Sequence, residues 1–524
     1  MVLYSHKPLS RCVWHRSSHG AGSGWLTDLD HTAWTMLART RFVLLLVVAA
    51  VLAVLSFSLQ FLHIIPVSPV GDERPPGKNR KRMPPVLHTE APVLDPIREA
   101  YAYCNIPNRT EQGWEGHSPA DYELLSVQVM IRHGDRYPLY AIPKTKRPAI
   151  DCMLVPYRSP SHPLLATFIN HMSWGGRGRW DPMLSALPRL PSHSMCEMGE
   201  LTQTGIVQHL RNGQLLRDAY MKRHKLLQPG WTARQLYVES TGKSRTLQSG
   251  LALLYGLLPD FDWAEVVVQH QASTLFCGAH CDCPARNRYL EEEQRRQYRL
   301  RVADTQLDHM YADMARMVGV APRQLRAANP VDSLTCHLCH GLSFPCTAQG
   351  CLSPRQLAII KRQQLEDEED RRRQGLYRRY ALLAAHPFLN RTAGRMLHAA
   401  EGRDGGEALA VFSAHDVTLV PLLSALGLAK ARFPRFAARL VFELWRIPPQ
   451  PRQEDGNSER QQLFVRILYD GEDVTFQTSF CWSHERLPGQ PLCPFNSFLS
   501  FVRRDMFRTL NATSYQEACH RRPV

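Results

Sequence analysis

The sequence predicts an α/β sandwich, and three stretches carry the prediction. "YELLSVQVMI" (122–131) alternates and then turns continuously apolar, which suits a central strand. "GELTQTGIVQHLRNGQLLRDAY" (199–220) follows as a helix, with Thr202 or Thr204 as its cap and Ile206, Leu210, Gly213, Leu216 and Tyr220 along one buried face. "QLYVES" (235–240) reads as the next strand and feeds the helix "TGKSRTLQSGLALLYGLL" (241–258). Strand then helix, twice over, puts helices on the faces of a sheet.

The remaining elements follow in chain order. Residues 42–62, "FVLLLVVAAVLAVLSFSLQFL", lack Asp, Glu, Lys and Arg and match the length of a bilayer span. Lys7, Arg11, Arg16, Arg39 and Arg41 precede them against Asp28 and Asp30, so the expectation is a cytoplasmic tail (1–41), a transmembrane anchor and a luminal remainder. A cleaved signal peptide is the alternative; the apolar run is long for one. Residues 63–95 are rich in Pro and charge and read as a stem, whose "KNRKR" could release a soluble form if cleaved.

The domain from 96 to 524 is expected to have an α/β core at about 120–275 and 400–524. Residues 286–326 and 352–385 are charged, Gln-rich and helical in period, so about 276–399 is assigned to a helical, cysteine-rich insert. "ALAVFSAHD" (408–416) returns to a buried strand and "VTLVPLLSALG" to a helix. "ARLVFELWRI" and "QQLFVRILYDGEDV" then form an antiparallel pair around the loop 448–460. Of the fourteen cysteines, thirteen follow the anchor, an odd number that leaves at least one thiol outside internal disulfides. Asn108, Asn390 and Asn511 each open an N-x-Thr sequon, so glycans and disulfides together point to an oxidising secretory lumen.

A formal net charge of +15 implies an acidic partner, whether nucleic acid, anionic membrane, phosphorylated substrate or sulphated glycan. "RHGDRYP" (132–138) narrows the choice. It crowds two guanidinium groups and an imidazole at a strand exit, which calls for an anion. "CHLCH" (336–340) has half a zinc spacing, but the oxidising compartment favours disulfides.

The R-H-G-x-R-x-P pattern at Arg132, His133, Gly134, Arg136 and Pro138 resembles the histidine acid phosphatase branch of the histidine phosphatase superfamily. So do the long helix, the "ESTGKSRTLQSG" turn with Arg245, and His415-Asp416, in the same order. The resemblance implies a sandwich with a mostly parallel central sheet flanked by helices. It implies His133 as nucleophile through a phosphohistidine, Asp416 as proton donor, and Arg132, Arg136, Arg245 and His415 as phosphate ligands, with no cofactor or metal. Planar guanidinium forks suit the equatorial oxygens of a phosphoryl group, and like charges keep His133 unprotonated. Glu239 departs from the family, which often has an arginine there. Asp135 reads as a loop hydrogen-bonder and His209 as structural; Lys144 and Arg147 are either solvated or bind remote anionic parts of a substrate.

An anchored, stem-bearing basic chain of this family resembles a Golgi glycan-modifying enzyme. The match across "RHGDRYPLYAIPKTKRP" (132–148) and "ARFPRFAARL" (431–440) resembles the linkage-region phosphatases of this family and implies as substrate phosphorylated xylose in the glycosaminoglycan linkage region of proteoglycan core proteins, met beside Golgi glycosyltransferases, with no nucleic acid partner. The rivals are a broad luminal or inositol phosphate phosphatase, and a non-catalytic phosphoglycan-binding protein.

Overall fold

The computed structural model describes residues 95–521 except 107–112, 118–120, 175–178, 403–405, 429–432, 449–461 and 483–491. The expected tail, anchor and nearly all of the stem, and the sequon at Asn108, lie outside the described residues. Among the described residues, no helix is long and apolar enough to cross a membrane.

Helix α1 (Pro96–Cys104) starts at Asp95, whose carboxylate accepts from Ile97 N at 3.0 Å, with Pro at the first position. Strand β1 (Glu123–Arg132) is buried from Val127 to Arg132 on both faces. Thr202 caps α2 (Gln203–Leu216) by accepting from Gly205 N, and the predicted face from Ile206 to Tyr220 is buried. Strand β2 (Leu236–Thr241) feeds α3 (Ser244–Leu257). The two helices touch backbone to backbone: a Cβ on Gly213 would meet Leu253 O at 2.2 Å, so only glycine fits. Strand β3 (Val267–Gln271) completes this half of the sheet.

Helices α4 (Pro284–Val302), α5 (Thr305–Val318), α6 (Pro330–Cys339), α7 (Pro354–Arg373) and α8 (Gly375–Ala400) fill the segment assigned to the insert. They do not behave alike. Leu307, Met310, Met314, Leu334, Leu338, Leu357 and Ile360 of α5 to α7 share a separate apolar cluster with Ala100 of α1. Helix α8 instead buries Leu382, Leu383, Phe388 and Leu389 in the main core with Phe412 and Phe442. Its run "ALLAAHPFL" is apolar all round, as expected of a helix buried against a sheet.

Strand β4 (Leu409–Ala414), α9 (Asp416–Leu426), β5 (Arg439–Arg446) and β6 (Leu463–Tyr469) close the core. The sheet order is β6–β5–β1–β4–β2–β3, with shorter strands at both edges. Alternate residues feed opposite faces: Val411 and Val441 pack with Ile131 on one side, Phe412 and Phe442 with Met130 on the other. The expected mostly parallel sheet is mixed. Strands β1, β4, β2 and β3 pair in parallel, but β5 lies antiparallel to β1 and β6 antiparallel to β5. Strand–helix alternation builds the parallel half, β1, β4, β2 and β3, and the reversal begins at β5.

Twelve of the thirteen cysteines after residue 100 form six disulfides, Cys104–Cys339, Cys152–Cys196, Cys277–Cys281, Cys283–Cys519, Cys346–Cys351 and Cys481–Cys493. Cys336 is the buried free thiol. The first of these bonds ties α1 to α6 across 235 residues of chain.

Candidate active site

Parallel pairing brings the sequence motifs together. Arg132 stands opposite Ala414 in the β1–β4 register, and His133 N donates to Ala414 O, so His133 and His415 leave adjacent strands at the same end. Their ring centroids are 5.6 Å apart, edge to face. Strand β2 exits beside them at Thr241, and Arg245 lies in the first turn of α3. Carboxyl ends of neighbouring parallel strands are where open α/β sheets bind ligands. Gly134 lets the loop turn tightly against α2, because a Cβ there would lie 2.5 Å from Gly205 Cα.

His133 is 3% exposed, and its Nδ1 lies 2.8 Å from Gly134 O. A carbonyl only accepts, so Nδ1 carries the proton and Nε2 keeps its lone pair. The imidazole is held neutral, well below the ordinary histidine range. Burial is the largest cause; repulsion by Arg245, Arg132, His415 and Arg136 adds to it, so charge alone was too narrow an explanation.

Three arginines surround this ring. Arg132 is fully buried, donates from Nη1 to Pro434 O at 2.6 Å and from Nη2 to Tyr103 Oη at 2.6 Å, and lies over the Phe436 ring at 4.5 Å. Arg136 is fixed by Asp332, with Nη2–Oδ1 at 3.0 Å and Nη1–Oδ2 at 3.3 Å. Burial and the Arg136 cation bring Arg245 down to about 10. The Nε atoms of all three are buried without a hydrogen-bond partner. Orphaned donors on three neighbouring guanidiniums are costly in isolation and fit an anion with several oxygens.

Asp416 accepts from Val417 N through Oδ1 and pairs through Oδ2 with Arg132 Nη2 at 3.2 Å. Burial works to raise its pKa, but the Arg132 guanidinium, supported by Arg136 and His415, brings it below the ordinary carboxylate range. His415 Nε2 lies 2.9 Å from Thr241 Oγ1, and its ring is held neutral chiefly by burial.

Sequence reasoning missed Tyr103, Asp332 and Lys361, which reach the site from α1, α6 and α7. The only local hint was Cys104 beside Tyr103 and the cysteine pair closing α6. Asp332 also accepts from Leu139 N at 2.6 Å, locking the loop after His133 to α6. Asp332→Ala is therefore expected to destabilise the fold by about 3 kcal/mol, because it strands the buried Arg136 cation. Thermal unfolding and a rise in KM for phosphate esters measure the two consequences.

The other singled-out residues have local explanations. Asp135 accepts from Thr202 Oγ1 at 2.5 Å and pairs with His340 Nε2 at 2.8 Å. Glu239 is neutralised by a two-point pair with Arg391, at 3.0 and 2.7 Å, and accepts from Gln271 Nε2 at 2.9 Å. His209 is fully buried, and burial brings its pKa to about 3. Lys144 donates to Gly319 O. In "CHLCH", Cys339 is in a disulfide, His337 Nδ1 donates to Ser343 O at 2.7 Å and His340 is committed to Asp135, so no zinc ligand set remains. Cys152, Cys196 and Glu200 cluster elsewhere, but the two sulfurs are bonded to each other. Asn390 and Asn511 are exposed.

Residues 123–470, which carry this arrangement, match the family model of the histidine phosphatase superfamily (branch 2), and the chain belongs to that family. It is 61% identical to 2-phosphoxylose phosphatase 1 of Danio rerio over 500 residues, 93% of this chain and 99% of that protein. It is 57% identical to 2-phosphoxylose phosphatase 1 of Homo sapiens over 488 residues, again 93% and 99%. Among solved structures, the apo form of the multiple inositol polyphosphate phosphatase of Bifidobacterium longum aligns at a TM-score of 0.49 and 13% identity, over 77% of this chain and 95% of that one.

Proposed function

We propose that the protein is a Golgi luminal phosphomonoesterase that removes the 2-phosphate from xylose in the glycosaminoglycan–protein linkage region. The observation that carries the phosphatase chemistry is His133, its Nδ1 proton spent on Gly134 O, set among the unpartnered Nε donors of Arg132, Arg136 and Arg245. The choice of sugar is supported by relatives 61% and 57% identical that are named for that substrate.

His133 Nε2 donates its electron pair to phosphorus while the bond to the sugar oxygen breaks. Asp416 gives that oxygen a proton, and the arginines hold the equatorial oxygens where charge is spread. Water then attacks phosphorus, gives a proton to Asp416 and releases His133 and inorganic phosphate. Contacts to the rest of the glycan add binding energy that an isolated sugar phosphate lacks. The linkage glycopeptide is therefore expected to show roughly tenfold higher kcat/KM than xylose 2-phosphate, or more. A pure enzyme that prefers inositol polyphosphates would refute the substrate. Cells without the protein are expected to accumulate phosphoxylose on truncated chains.

The address follows from the N-terminal 62 residues. Residues 1–41 face the cytosol, 42–62 span the membrane, and the stem and catalytic domain lie in the lumen, near Golgi glycosyltransferases and with glycans on some of Asn108, Asn390 and Asn511. In intact microsomes, added protease is expected to remove only the tail, and glycosidase treatment to lower the apparent mass. Digestion of the catalytic domain, or a chain without glycans, overturns this topology.

A further inference from the structure

Lys361, which reaches the site from α7, has so far been given no role. Its ammonium lies 4.6 Å from the centroid of the Tyr103 ring. The same ring lies 4.8 Å from the Arg132 guanidinium carbon, and its hydroxyl accepts from Arg132. Lys361 thus stands one aromatic ring away from the arginine that pairs with Asp416.

The placement is electrostatically unfavourable without a ligand. Burial and the Arg132 cation bring the ammonium down to about 8, with Asp332 opposing them. No carboxylate lies within ion-pair distance of Lys361 among the described residues, although its neighbours on α7 pair along the helix, Arg362 with Glu366 and Arg371 with Glu368. Asp332 and Asp416 are already engaged by Arg136 and Arg132. Lys361 is half-buried, and its ammonium offers three donors and no acceptor, so an oxygen of a bound ligand can take the place of solvent there. The unpartnered Nε donors of Arg132, Arg136 and Arg245 suit the phosphoryl oxygens. The hydroxyls on the sugar carbons beside the ester are the next oxygens a bound sugar phosphate presents.

We propose that Lys361 is a specificity residue whose ammonium donates to hydroxyl oxygens flanking the phosphoester, so that the site favours polyol phosphates over alkyl phosphates without hydroxyls. This rests on the phosphosugar reading above and adds the residue that recognises the sugar. The insert, in this view, reads the alcohol while the core binds the phosphate.

The test uses the full-length chain in detergent, with kcat/KM measured for xylose 2-phosphate and for cyclohexyl phosphate. Both have alkyl leaving groups, so their ratio isolates the hydroxyls. Lys361→Met is expected to lower that ratio about tenfold, as loss of a charged hydrogen bond does, with the thermal midpoint kept, and Lys361→Arg to restore part of it. An unchanged ratio, or equal loss on both substrates, overturns the proposal. So does a loss confined to substrates with a second phosphate, which would make Lys361 a second anion site. If the wild type fails to hydrolyse xylose 2-phosphate, the substrate reading alone falls. Lys361 is then judged by the same tenfold change with glycerol 2-phosphate against cyclohexyl phosphate.

Discussion

His133→Ala is expected to abolish turnover, with kcat down by roughly a thousandfold or more, while the chain still folds. The ring makes a single hydrogen bond, to the carbonyl of the next residue. The backbone bonds that hold this position, His133 N to Ala414 O and Ala437 N to His133 O, survive the substitution. Removing an imidazole from among three guanidiniums also removes a group they repel when charged. Stability is therefore expected to change by no more than about 2 kcal/mol. Rapid alkaline denaturation during turnover traps protein-bound phosphate that acid then releases, and only the wild type yields it. The active form is the neutral imidazole, and its pKa lies well below the ordinary histidine value. Wild-type activity owed to His133 is thus retained as pH falls through 6.5 and is lost only in stronger acid. Full activity of the alanine variant, or a phosphoenzyme formed on it, would remove His133 from the mechanism.

The part of the site that sequence revealed is the part that local chain order builds. Arg132, His133, Arg245, His415 and Asp416 all sit within a few residues of a strand end, and parallel strands with helical crossovers bring such ends to one edge. Tyr103, Asp332 and Lys361 belong to no such unit. They arrive on helices that pack against one another through Ala100, Leu334 and Ile360 and are tied by Cys104–Cys339, and composition contains no trace of that pairing. The same limit explains α8. Its charged flanks resemble those of α7, and only the apolar run from Ala381 to Leu389 marks it as core. Sheet direction was half legible, because strand–helix alternation announces parallel pairing but not which strand the terminal hairpin joins. Glu239 looked like a departure that would alter the site's charge. The structure removes the difficulty with Arg391, 152 residues away in sequence, which no local reading could pair with it.

Asp416→Asn is expected to separate the two halves of ester cleavage. When the phosphorus–oxygen bond breaks, the electron pair stays on the leaving oxygen; a sugar alkoxide is a poor leaving group without a proton, whereas nitrophenolate departs unaided. The carboxyl must therefore be protonated when the sugar ester reacts. Arg132, with Arg136, holds it ionised at neutral pH. A phosphoryl dianion seated against the same arginines opposes them, draws Asp416 upward and favours proton uptake on binding. Asparagine has one acceptor oxygen where Asp416 uses two, so it keeps the bond from Val417 N at Oδ1 and loses the contact of Oδ2 with Arg132, a local change in a site the backbone still holds. It cannot deliver the proton. Turnover of xylose 2-phosphate is expected to fall by roughly a thousandfold and that of p-nitrophenyl phosphate by about tenfold at most, with folding unchanged. A plot of log kcat against leaving-group pKa should be steeper for the variant than for the wild type, because charge on the departing oxygen is no longer neutralised. Equal losses across the series, with parallel plots, would place Asp416 among the groups that orient Arg132 and would leave the proton to another donor.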